Sequence, residues 1–311
     1  MSLISSLLWP VEVFIFAYAF LGPLHYLTEI NWLSQKKFFA KEKMIPWFLL
    51  MCSTLISADF LNHHFHFSNW AEVFSQKSHF QFIVLGLSFC GCFLLMTFKK
   101  KGIQFTSLLL LIFALYHNSI FMPDLSFGFI LFLPTLIHVF LFTGLFLFSG
   151  SLKEKHFSGH LSLLVFISVP FLLWFIQAGT FILPVTDTGW RHYLSEGKGF
   201  AFVVEDMVGL LWPNKADLNV FQSYEAIFLM RFLAFSYLYH YLNWFSKVEI
   251  IKWNQMPKGK MGMILTLWLG SCALYLMDYA SGLIWLFFLS YCHVLLEFPL
   301  NFKSLGLSKR S

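Results

Sequence analysis

Nine predominantly apolar runs, at about 7–28, 46–62, 80–98, 102–121, 127–149, 160–183, 222–245, 261–277 and 281–299, divide this chain and constrain its fold more than any motif does. A helix rises ~1.5 Å per residue, so roughly 20 residues cross the ~30 Å hydrocarbon layer. Most of the runs reach that length alone, and the second, eighth and ninth sit near its lower limit. Inside a bilayer each backbone N–H and C=O must be paired within the protein, and for runs this long helices do that. The expected fold class is all-α: a polytopic transmembrane helical bundle of about nine spans, forming a single transmembrane domain over 1–311.

Composition closes the water-soluble alternative. Of 311 residues, 58% are hydrophobic and 12% charged, too little polar surface for a soluble domain of this size. The formal net charge of +5 does not point to nucleic acid, because the basic residues fall in short clusters after apolar runs. Lys36, Lys37, Lys41 and Lys43, then Lys99 to Lys101, Lys153 and Lys155, then Lys247, Lys252, Lys258 and Lys260, and finally Lys303, Lys309 and Arg310 share one side. The other side carries only Lys77, Arg191, Lys198 and Lys215. Lysine-rich connections stay in the cytoplasm, so the N-terminus is expected outside and the C-terminus inside, in a bacterial inner membrane. The first run has no basic segment before it and is expected to remain as a span. The one substantial external connection is expected at about 184–221, with an interfacial helix near Phe200 to Leu211. No internal repeat is visible.

Five cysteines lie in apolar segments without Cys-x-x-Cys spacing, which argues against both a disulfide framework and a thiolate metal site. Phosphate-binding glycine loops, His-Glu-x-x-His and serine-elbow motifs are absent. The chemistry therefore has to come from ionisable groups inside the apolar runs, where they are costly and rare.

His25 and Glu29 lie four residues apart in the first run, and His293 and Glu297 repeat that spacing in the last, so each pair shares one helix face. With the topology above, both pairs come to the inner half of the membrane, together with His240 and Asn243 of the seventh run. His138, near the middle of the fifth, is a further candidate. Imidazole with carboxylate suits Fe(II), Mn or Zn. Histidines alone can bind, with Glu29 and Glu297 orienting their rings, or the carboxylates can bind directly and hold two ions. Glu12, Glu225 and Arg231 form a separate outer polar set in which Arg231 is expected to pair with a carboxylate. His63, His64 and His66 read as an interfacial group.

The stretch Gly22-Pro23-Leu24-His25 resembles the first histidine motif of the Brp/Blh family, bacterial membrane enzymes that cleave beta-carotene to retinal with an iron held by histidines from several helices. The resemblance implies that His25 is a ligand, that His240 and His293 are candidates for others, and that O2 and a long apolar substrate meet in the bundle.

The function expected is an integral-membrane, metal-dependent oxygenase or oxidase acting on a lipid or isoprenoid of carotenoid-like character. Its metal ligands would be His25, His138, His240 and His293, with Glu29, Glu297 and Asn243 as catalytic or orienting groups. Fe(II), as one or two ions, is the expected cofactor; O2, an apolar small molecule and membrane lipid are the expected partners. The alternative is a proton- or cation-coupled transporter in which the inner and outer polar sets form one route.

Overall fold

A computed structural model describes residues 1–35, 44–65, 79–121, 134–140, 143–144, 147–148, 151–152, 157–176, 183–194, 200–215, 223–247, 252 and 255–304. The protein is all-α with several long apolar helices, as a polytopic membrane protein requires. Among the described residues, five helices are long and apolar enough to cross a membrane: Pro10–Gln35, Phe80–Thr97, Phe157–Phe175, Lys258–Met277 and Ser281–Lys303. These are five of the nine expected spans. Met44–Ala58 is apolar but shorter. The helices over the fourth and seventh runs also form, the seventh carrying Glu225, Arg231, His240 and several tyrosines. Much of the fifth run lies outside the described residues, as do His66 and the side chains of Asp59, His63 and His64.

The N-terminal region is built in pieces: α1 (Ser2–Leu8), and then the first span as α2 (Pro10–Phe16), a wide π-helical turn (Ala17–Leu21) and α3 (Gly22–Gln35). Pro10 opens α2 at a position where its missing N–H costs nothing. Pro23 explains the wide turn, because in a regular helix its ring would collide with the carbonyl of Ala19, four residues earlier. The turn widens instead, and the Gly22 N–H bonds to Ala17 O, five residues back. His25 follows directly, so this local change of register sets the direction in which it points.

Two compact units divide the chain, Met1–Gly22 with Leu131–Ile250 and Pro23–Ile130 with Ile251–Ser311. The first is organised around α10 (Tyr224–Ser246), whose Ser223 cap accepts a hydrogen bond from Ala226 N–H. Phe14 and Tyr18 meet Tyr237 of α10 and Phe200 of α9 (Phe200–Leu211) edge to face. Phe140 stacks on Phe232, with Phe166 of α7 (Phe157–Phe175) beside it. One face of α9, with Phe200, Val203, Val204, Met207 and Val208, is buried. Glu12 accepts the Thr186 backbone N–H at 2.7 Å, at the start of α8 (Asp187–Leu194), where a helix N-terminus favours negative charge.

The second unit holds α3, α4 (Met44–Phe65), α5 (His79–Thr97), α6 (Lys101–Phe121), α11 (Lys258–Met277) and α12 (Tyr279–Ser304). Packing rather than water exclusion joins helices in lipid, so small residues matter at their contacts. Buried Cys52, Ser53 and Ser57 on α4 serve this end, and Ser53 meets Cys292 of α12. The α5–α6 turn is closed by Gln104, whose amide donates to the carbonyls of Leu95 and Phe98. Within the span of α12, 78% of the most apolar window is buried, against 17% for α11, so α12 is the interior helix and α11 faces outward.

The α11–α12 hairpin depends on one glycine. A Cβ at Gly282 would overlap Tyr275 Cα, a backbone atom that cannot give way. Gly282→Ala is therefore expected to force the hairpin apart and lower stability by ~1–3 kcal/mol, read as a fall in the midpoint of detergent-induced unfolding. An unchanged midpoint would mean that the hairpin relaxes freely.

Candidate metal centre

Helices α3 and α12 carry the four residues that the two His-x-x-x-Glu pairs promised. On α3, His25 Nε2 lies 3.1 Å from Glu29 Oε2, one helical turn on. On α12, His293 and Glu297 repeat the four-residue spacing. The helices bring the pairs together: the rings of His25 and His293 are 5.3 Å apart at 78°, and the Glu29 and Glu297 carboxyls hydrogen-bond to each other. One ligand atom from each of His25, Glu29 and His293 lies within 4.8 Å of the others.

All four side chains are buried: His25 is 0% exposed, Glu29 2%, His293 2% and Glu297 1%. Burial decides the electrostatics. Two carboxylates in contact repel, and neither has water to share its charge. Their contact persists only if a proton or a cation lies with them. Imidazoles converging on the same point turn this into a donor set of mixed nitrogen and oxygen, the chemistry of Fe(II), Mn or Zn sites. The residues present therefore fit a divalent ion.

The first unit holds histidines of its own. His138 and His240 are both buried, with rings 5.0 Å apart at 76°. His240 Nδ1 is 2.7 Å from the hydroxyl of buried Thr143. Nearby, Tyr237 OH donates to Thr135 Oγ1 at 3.0 Å. Asn243 sits three residues beyond His240 on α10 and is half-buried. Arg231 and Glu225 are buried on the same helix, 1% and 5% exposed, so these two members of the expected outer polar set are enclosed by protein, while Glu12 is half-buried.

Two side chains at these sites carried no signal in the sequence. Tyr26 stacks on His293 with ring centroids 4.2 Å apart and planes at 23°, an arrangement that needs two helices far apart in the chain. Thr143 meets His240 across 97 residues. An aromatic or hydroxyl residue in an apolar run is too ordinary to stand out without such a partner.

The helices and the buried cluster together define a class: an integral-membrane helical protein with a multi-His/Glu metal site, as a metal-dependent membrane enzyme has. No protein-family model, curated protein or solved structure matches this chain.

Proposed function

We propose that this protein is an iron-dependent membrane oxygenase or oxidase that acts on an isoprenoid or related lipid of carotenoid-like character. The observation that supports it best is the fully buried convergence of His25, Glu29 and His293, with Glu297 against Glu29. A bound Fe(II) would supply O2 activation. His25 and His293 would hold the ion, Glu29 would bind it or orient His25, and Glu297 would balance charge behind Glu29. We further propose His138 and His240 of the first unit as imidazoles able to ligate metal, with Asn243 as a polar neighbour of His240 on the same helix. The likeness of Gly22-Pro23-Leu24-His25 to the Brp/Blh motif favours a long apolar substrate entering from the bilayer.

Helices α6 and α10 are also proposed to cross the membrane, α10 with its polar side chains largely buried and α6 with an exposed apolar face, and with the N-terminus outside and the C-terminus cytoplasmic.

The reading is tested with protein purified in nanodiscs, loaded with Fe(II), and given β-carotene and shorter isoprenoids under O2. Consumption of O2 with loss of substrate, both abolished by a chelator, is the expected result. Iron-loaded protein that consumes no O2 with any of them, yet carries protons or cations across vesicle membranes, would overturn it in favour of the transporter.

A further inference from the structure

His293 is a histidine on the most buried helix of its unit, yet its own helix holds it weakly. Its Nδ1 faces Leu289 O, one turn back, at 3.4 Å. A ring nitrogen facing a carbonyl oxygen has to be the N–H donor, since two lone pairs would repel. In a neutral imidazole that leaves the lone pair on Nε2. A hydrogen bond of 3.4 Å is long, beyond the usual 2.7–3.2 Å range, and constrains ring rotation little.

A further constraint comes from α3. Consecutive residues on a helix point about 100° apart, so His25 and Tyr26 reach different sides of the same neighbour. His25 meets His293 nearly perpendicular, at 78° and 5.3 Å, as one ligand beside another. Tyr26 lies along its face, at 23° and 4.2 Å, and is itself 0% exposed. A face-on ring at that distance blocks rotation of the imidazole about its Cβ–Cγ bond, because turning it would drive its edge into the tyrosine.

We propose that Tyr26 is a positioning residue for the metal centre: by stacking on His293 it locks the imidazole with Nδ1 on Leu289 O and Nε2 presented as the metal-binding nitrogen. The inference deepens the metal-centre reading and rests on it. The stack needs the ring and not the hydroxyl, which separates positioning from any chemistry of the phenol.

Purified parent protein, Tyr26→Phe and Tyr26→Met are titrated with Co(II) in detergent, following the visible spectrum, and apo-protein melting is recorded for each. The phenylalanine variant is expected to match the parent. The methionine variant, of similar bulk but without a flat face, is expected to bind about tenfold more weakly with an altered Co(II) spectrum, while its apo melting stays near that of the parent. Parent affinity and spectrum in the methionine variant would overturn the inference. If that variant does not fold, the parent alone decides: NMR of ¹⁵N-histidine protein without metal, with His293 identified through its loss in His293→Gln, should show the Nδ1–H tautomer. An Nε2–H tautomer would overturn the inference. A parent that binds no Co(II) would instead sink the metal-centre reading, and this inference with it, whereas parent binding with an indifferent Tyr26→Met variant sinks the inference alone.

Discussion

Replacing His25 or His293 by alanine is expected to empty the protein of transition metal. The parent should purify, after supplementation, with about one ion per chain, and either variant with less than about a tenth of that, because each change removes a donor from a set of few. Loss of an orienting residue alone typically costs 10–100-fold in affinity, and loss of a direct ligand should exceed it. The pairing of the two variants is the informative part. His25 and His293 lie on α3 and α12, 268 residues apart in numbering, and behave as one site only if their rings converge as they do at 5.3 Å. Elemental analysis of folded parent and variants decides. Metal that survives either substitution would place the ion elsewhere. His138→Ala and His240→Ala, measured beside them, test whether the first unit's histidines also bind.

Changing Glu297 to glutamine is expected to act in opposite directions on the metal-free and metal-loaded protein. Without metal, the two buried carboxyls stay in contact only by taking up a proton, and an amide at position 297 donates to Glu29 without that uptake. The metal-free variant should therefore melt higher than the metal-free parent. With metal, the same change removes negative charge from beside the ion, and affinity should fall about 10–100-fold. Since a ligand that binds only the folded state stabilises by about 2.7 kcal/mol at 100 times its Kd, the loaded variant should melt lower than the loaded parent at equal metal concentration. Melting curves with and without chelator show whether the order inverts. A variant less stable than the parent in both states would mean that the carboxyl pair is a structural hydrogen bond with no cation to hold.

The two His-x-x-x-Glu pairs were legible in the sequence because a helix places residues four apart on one face whatever surrounds it. The membrane class was legible for a similarly local reason, since long runs without charge have few other fates. The burial of α10 was not. Hydropathy recognises a helix by the lipid it faces, and α10 carries Arg231, Glu225 and His240, which hydropathy penalises. Such groups are tolerable where protein surrounds them, as at Arg231, 1% exposed.

Pairing between helices was beyond the sequence as well. The depth argument placed His25, His240 and His293 at one level, but depth says nothing about which faces meet. That His293 lies against both His25 and Tyr26, and that Glu29 touches Glu297, depends on how α3 and α12 are turned about their axes. The wide turn at Ala17–Leu21 contributes to the first of these, and Pro23 caused it. Thr143 and His240 make the same point in the other unit, where a 2.7 Å contact spans 97 residues.

By itself, then, the sequence determined what is local or averaged: an all-helical chain for lipid, its candidate ligands, and the helix face each pair shares. Only the tertiary structure decided which helices are interior, that the carboxyls of the two pairs touch, and which aromatic ring holds His293. Those outcomes turn on helix rotation and side-chain contact over long sequence separations, and no periodicity within a single run encodes them.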